Sequence, residues 1–154
     1  MAINLEVFIS DFAACFRLAD LRRPQAVNIR SKEVYQVGIG PHSESQTVKL
    51  ITDELQQYSP QEYKDKIGIS ISYPNSRRQK CDLCLGDSPV WDWAIEVKML
   101  RLLGDNGKLN DNILMHILSP YPEHSSVLPD CVKLVNTELS SNKAILIYGY
   151  EHAA

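Results

Sequence analysis

The chain has no apolar run near the roughly 20 residues that a membrane-spanning helix needs, so no membrane partner is expected. Nor is either sign of charge in excess, since 16 Lys and Arg stand against 19 Asp and Glu, a formal net charge of −3. There is thus no global basic signal for nucleic acid, although a local patch is enough to hold a backbone phosphate. The opening MAINLEVFISDFAACF lacks a basic n-region and carries Glu6 and Asp11 within its apolar stretch, so it does not read as a signal peptide. Without a secretory signal, the four cysteines are expected to be free thiols in a reducing, cytoplasmic setting. A Gly-rich phosphate loop and a nucleophile elbow are absent, which removes two common enzyme sites from consideration. There are also no internal repeats and no low-complexity segments.

What is present fits one compact domain: 154 residues with 44% hydrophobic content can bury a core without staples. Leu5, Phe8, Ile9, Phe12, Cys15, Phe16 and Ala19 recur at helical spacing and predict an amphipathic helix over 3–21. Its Phe8, Phe12 and Phe16 are a candidate dimer surface, with packing inside the domain as the simpler role. Ser43 and Gln46 form a capping-box pattern that opens a second helix, with Val48, Ile51, Leu55 and Tyr58 on its buried stripe. From Lys66 the period changes to two. KIGISISY reads as a strand, CDLCL as a second, and WDWAIEVKML as a third that alternates strictly, with Trp91, Trp93, Ile95, Val97 and Met99 on its apolar face. DNILMHIL and SVLPDCVKLVNTEL follow as helices, the latter with Leu128, Cys131, Val132, Val135 and Leu139 on one stripe. AILIYGY reads as a buried strand. A β-meander, helices and a returning strand predict a mixed central sheet flanked by helices. Residues 1–40 are expected to pack on or dimerise a core formed by 41–154.

Chemistry concentrates on the polar face of the third strand. Glu96 and Lys98 are two apart and project together, and Asp82 sits on the preceding strand of the same hairpin. Two carboxylates on adjacent strands can share a hard cation such as Mg²⁺, which binds oxygen and keeps positions open for water and phosphate. A lysine beside them can stabilise charge on a phosphoryl oxygen. Glu44, one turn before Val48, is a further acid that can face the sheet or simply complement the helix dipole. Register is the difficulty. A turn at GDSP that sets Leu85 opposite Val90 sets Asp82 opposite Trp93, about 10 Å short of Glu96. The pair meets only if a bulge, a wider loop or a strong twist intervenes near 86–92; otherwise Asp92 competes as the second acid.

With Asp82, thirteen residues, then Glu96-Val97-Lys98, and Glu44 in the helix before the sheet, residues 41–150 resemble the PD-(D/E)XK nuclease superfamily. The resemblance implies a restriction-endonuclease-like αβββαβ core with an extra N-terminal helix. It also implies Mg²⁺-dependent phosphodiester hydrolysis that leaves a 5′-phosphate, with Mn²⁺ as a substitute and DNA favoured over RNA. Asp82 and Glu96, with the Val97 carbonyl, would hold the metal, and Lys98 would act in catalysis with Glu44 as an accessory acid. The proline that the motif places before the Asp is Cys81 here. Such domains commonly dimerise. The alternative is a nucleic-acid or protein-binding module that keeps the fold without cleaving.

Smaller signals are weaker. Arg77, Arg78 and Lys80 precede Asp82 and can contact phosphate, as can Lys108, Asn110 and Asn112, but exposed basic residues are usually only solvated. Cys81 and Cys84 form a CxxC without a second pair, and residues three apart on a strand are expected to face opposite ways, which argues against zinc. His116 and His124 have ordinary packing, surface or capping roles available to them, and Lys133 can reach a substrate or simply sit on the polar face of its helix.

Overall fold

The structure, a computed structural model, describes residues 2–28, 30–102 and 113–150. The chain divides into two compact units, Met1–Lys64 and Asp65–Ala154. No helix among the described residues is long and apolar enough to cross a membrane.

In the first unit, helix α1 (Leu5–Leu21) starts where the Asn4 side chain accepts from the backbone N–H groups of Glu6 and Val7. Its buried face is Phe8, Phe12, Cys15 and Ala19. Phe8 meets the ring of Tyr63 edge-on at 6.1 Å, so Phe8 and Phe12 belong to the interior and not to a dimer surface. A polar segment that carries no strand signal forms the short antiparallel pair β1 (Gln25–Val27) and β2 (Val34–Val37). Three to four residues are too few for periodicity to register.

Helix α2 (Glu44–Tyr58) begins at the expected capping box of Ser43 and Gln46, and Val48, Ile51 and Leu55 are buried. Tyr58, expected on that stripe, is 54% exposed. It ends the helix, and Tyr63 of the following turn α3 (Pro60–Tyr63) is the fully buried tyrosine. Glu54 is also buried, where the guanidinium fork of Arg22 donates to both carboxylate oxygens. Ser43→Ala removes one side of the capping box and is expected to lower stability by about 1 kcal/mol, read as a shift of the urea midpoint with unchanged slope.

The second unit is built on one sheet ordered β3 (Ile67–Tyr73), β4 (Ser76–Asp87), β5 (Val90–Arg101), β6 (Asn142–Tyr150). The first three strands form an antiparallel meander and β6 runs parallel to β5. Between β5 and β6 lie α4 (Ile113–Leu118) and α5 (Val127–Val135), within the crossover that a parallel return requires. The mixed sheet with helices is therefore as expected. β6 is less buried than its apolar sequence implies, with Ile147 43% exposed, because it forms an edge of the sheet.

The β4–β5 hairpin settles the register. Asp87 pairs with Val90, so the turn is Ser88–Pro89, tighter than GDSP and worth two residues of shift. The ladder then passes from Gly86↔Trp91 to Leu85↔Trp93, leaving Asp92 as the extra residue of a bulge. That supplies the third residue of shift, and Leu83↔Ile95 follows. Asp82 thus arrives opposite Glu96. The bulge also breaks the alternation at the start of β5. Trp91 packs with Cys84, Ala94 and Tyr73, whereas Trp93 pairs with Leu85, so the two tryptophans do not share a face.

Helix α5 is rotated from its expected setting. Val127, Asp130 and Leu134 are buried, while Leu128, Val132 and Val135 are 41%, 61% and 73% exposed. A charged residue takes the central inward position, and its reason lies in the site.

Candidate active site

Asp82 and Glu96 touch. The carboxylate of Asp82 accepts the Val97 backbone N–H at 2.9 Å and shares a hydrogen bond with Glu96. Glu96 is 2% exposed and accepts from the Tyr73 hydroxyl. Burial, then the hydrogen bond and charge of Asp82, push the Glu96 carboxyl up to about 9, against the opposing pull of Tyr73 and Lys133. Glu96 is therefore protonated at neutral pH when no cation is present. Tyr73 is itself held above the ordinary phenol range by burial and by its bond to Glu96.

Lys98 is buried on the same face. Its Nζ donates to the Ser125 carbonyl at 2.9 Å and pairs with Asp130 at 3.1 Å. Asp130 bridges onward, since Lys133 Nζ lies 2.5 Å from its other oxygen and 3.7 Å from Glu96. Burial alone would lower Lys133, but the Asp130 hydrogen bond and the nearby carboxylates raise it above the ordinary lysine range. The face of β5 that the sequence marks out is thus closed by α5 into a linked set of Tyr73, Asp82, Glu96, Lys98, Asp130 and Lys133. Asp130 and Tyr73 are the members that sequence reasoning misses, and Asp130 leaves a trace in the sequence. Its signal is an acid–lysine pair one helical turn apart, inside an apolar helix that follows the Glu-x-Lys strand.

Such a set is a poor stabiliser. Buried charges lose hydration that their pairing only partly restores, so clusters with strongly shifted pKa values mark functional sites more often than structural ones. Among the described residues, no three His, Cys, Asp or Glu side chains converge as a metal-binding group. A cation here must take the carboxylate pair and complete its shell from backbone and solvent or substrate oxygens. That donor set suits Mg²⁺, which needs few protein ligands and prefers oxygen. The raised Glu96 carboxyl reflects the cost of placing two buried carboxyl groups side by side. Val97, fully buried between Glu96 and Lys98, shows its N–H bonded to Asp82.

Glu44 is the half-buried first residue of α2 in the first unit, whereas every member of the linked set belongs to the second. Arg77, Arg78 and Lys80 lie within β4 and not in a loop, with Arg78 and Lys80 exposed. Asp92 is the bulged residue, four positions or about 13 Å along the strand from Glu96, and is not the second acid. Lys108, Asn110 and Asn112 lie outside the described residues.

Cys81 and Cys84 join one buried cluster with Tyr73, Ala94 and Leu134, contrary to the expectation of opposite faces. Ser70 of the neighbouring strand stands at φ +55°, between the pairs Ile69↔Leu83 and Ile71↔Cys81. The two thiols are free and hydrogen-bonded to each other, which lowers Cys81, while that bond and burial raise Cys84.

Two clefts open beside the set. One of about 250 Å³ lies between the β3–β4 turn and α5, and one of about 580 Å³ lies between α5 and the segment that precedes it. Both are lined by Gln79, Val132 and Lys133. Leu128 lines the larger, so two of the exposed apolar residues of α5 serve cleft walls and not the core. Comparison with protein-family models, curated proteins and solved structures finds no match.

Proposed function

We propose that residues 41–150 have the restriction-endonuclease-like core and that the chain is a Mg²⁺-dependent nuclease, acting on DNA in preference to RNA. The observation that carries this reading is the bulged register that brings Asp82 against Glu96 on the face of Lys98. A regular two-residue hairpin would have set Asp82 opposite Ile95 and pointed it away from Glu96.

Asp82 and Glu96, with the Val97 carbonyl, would hold the Mg²⁺. When bound, it supplies charge neutralisation at the phosphoryl group and a more acidic water. The protein does the rest. Glu96 would have to be deprotonated to hold the cation, and the Tyr73 hydroxyl orients its carboxyl group. Lys98 is held by Ser125 and Asp130 with its charge beside the acid pair, where it steadies the phosphoryl oxygens as negative charge builds. Burial keeps bulk water from weakening that interaction.

The test is cleavage of plasmid and single-stranded DNA with Mg²⁺ or Mn²⁺. Lys98→Ala is expected to slow the native rate by about 10²–10³-fold, and Glu96→Ala to abolish cleavage. Absence of cleavage by well-folded native protein would instead favour a binding module. One observation favours that second reading: both lysines are already paired with Asp130.

A further inference from the structure

The two clefts share Lys133, and the amino group of Lys133 is 3.7 Å from Glu96. Resting on the nuclease reading, we propose that this paired cleft binds an unpaired nucleotide, with its phosphate on Lys133 and its base in the smaller cleft. The substrate class is then single-stranded nucleic acid, or a frayed or flipped position within a duplex.

Three features support the assignment. The smaller cleft, at about 250 Å³, has room for one planar base. Its walls carry the amides of Asn75, Gln79 and Asn136, which offer both donors and acceptors to a base edge. Among the described residues, its titratable linings are Tyr73, whose hydroxyl is committed to Glu96, and Lys133. An amide-lined cleft with one cation at its mouth matches a neutral base joined to an anionic phosphate.

The larger cleft continues past Lys133 over Leu128, Pro129 and Val132. An apolar floor there suits the flat face of the next sugar or base, as single-strand grooves do. Asp130 is the positioning residue of this arrangement. It fixes Lys133 from one carboxylate oxygen and Lys98 from the other, so the substrate's cation and the catalytic lysine stay a set distance apart.

The experiment measures equilibrium binding of fluorescent single-stranded and blunt duplex oligonucleotides by the full chain, with Ca²⁺ in place of Mg²⁺, over a range of salt. Cleavage with Mg²⁺ is followed in parallel. Single strands are expected to bind at least about tenfold more tightly than duplex, a difference of about 1.4 kcal/mol. Lys133→Ala should weaken single-strand binding and reduce the slope against log salt by about 0.7, as follows when one phosphate is no longer neutralised. Lys133→Arg should restore both. The double variant Asn75→Ala, Asn136→Ala should erase preference among bases while leaving that slope unchanged.

Equal affinity for duplex and single strand overturns the inference, as does an unaltered salt slope in a folded Lys133→Ala protein. Cleavage with either of those results would leave the nuclease reading standing and this one refuted. Single-strand binding that depends on Lys133, without cleavage by any metal, would do the reverse.

Discussion

Glu96→Gln is expected to abolish Mg²⁺-dependent cleavage and, at the same time, to make the metal-free protein more stable than the native chain at pH 8. The cause is a carboxyl held up at about 9 in the folded protein against an ordinary value of 4.5. Between those two values the folded state keeps a proton that the unfolded state has released. Native stability therefore falls as pH rises through that window. Glutamine has the shape of the protonated acid, can donate to Asp82 as the proton does, and does not titrate. The variant should match the native protein near pH 4.5 and exceed it by several kcal/mol at about pH 8, on the order of 1.4 kcal/mol per pH unit. Urea titrations in EDTA at pH 5 and pH 8 measure the gap. A gap that does not widen with pH would mean that Glu96 is already ionised in the folded protein. Mg²⁺ probes the same carboxyl from the other side. It should raise the melting temperature of the native protein, more so at higher pH, and leave Glu96→Gln unmoved.

The contrast between that residue and its surroundings explains how much is legible from the sequence. Glu96 and Lys98 stand out because a strand has period two and both lie beyond the bulge, where alternation is unbroken. The capping box at Ser43 is legible because it depends on residues three apart in the chain. The register between Asp82 and Glu96 is not, because it depends on where the turn falls and on a single extra residue at Asp92. Both are decided by tertiary fit. The setting of α5 escapes for a related reason. Leu128 and Val132 line a cleft and Asp130 faces inward to meet two lysines, so this helix inverts the rule that apolar residues face the core. In the same way, Cys81 and Cys84 share one buried cluster although three-residue spacing on a strand predicts opposite faces. The legible parts are those that local periodicity controls, and the misread parts are those set by contacts between distant segments.

Gly86→Ala carries the largest structural effect expected of any single methyl group here. Gly86 sits at φ +113°, in a region that side chains rarely adopt, directly across from the bulge. A Cβ placed there would lie 2.6 Å from the backbone nitrogen of Asp92 and 2.9 Å from its carboxylate. The first of these contacts is with main chain, so relief requires the bulge itself to move. Strained backbone and the displaced strand together should cost about 2–4 kcal/mol, whereas Asp87→Ala, exposed on the adjoining turn residue, should stay within about 0.5 kcal/mol. Denaturant midpoints of the two variants test the pair. Similar midpoints would show that the bulge is not needed to fold the hairpin. The functional consequence is separate and follows from the pleat. If the strand relieves the clash by slipping one residue, every side chain beyond it changes face, and Glu96 turns away from Asp82 and Lys133. A Gly86→Ala protein that still folds should then lose cleavage and lose its stabilisation by Mg²⁺ together, although the substitution touches neither acid. The glycine matters because it permits the one-residue irregularity on which the acid pair depends.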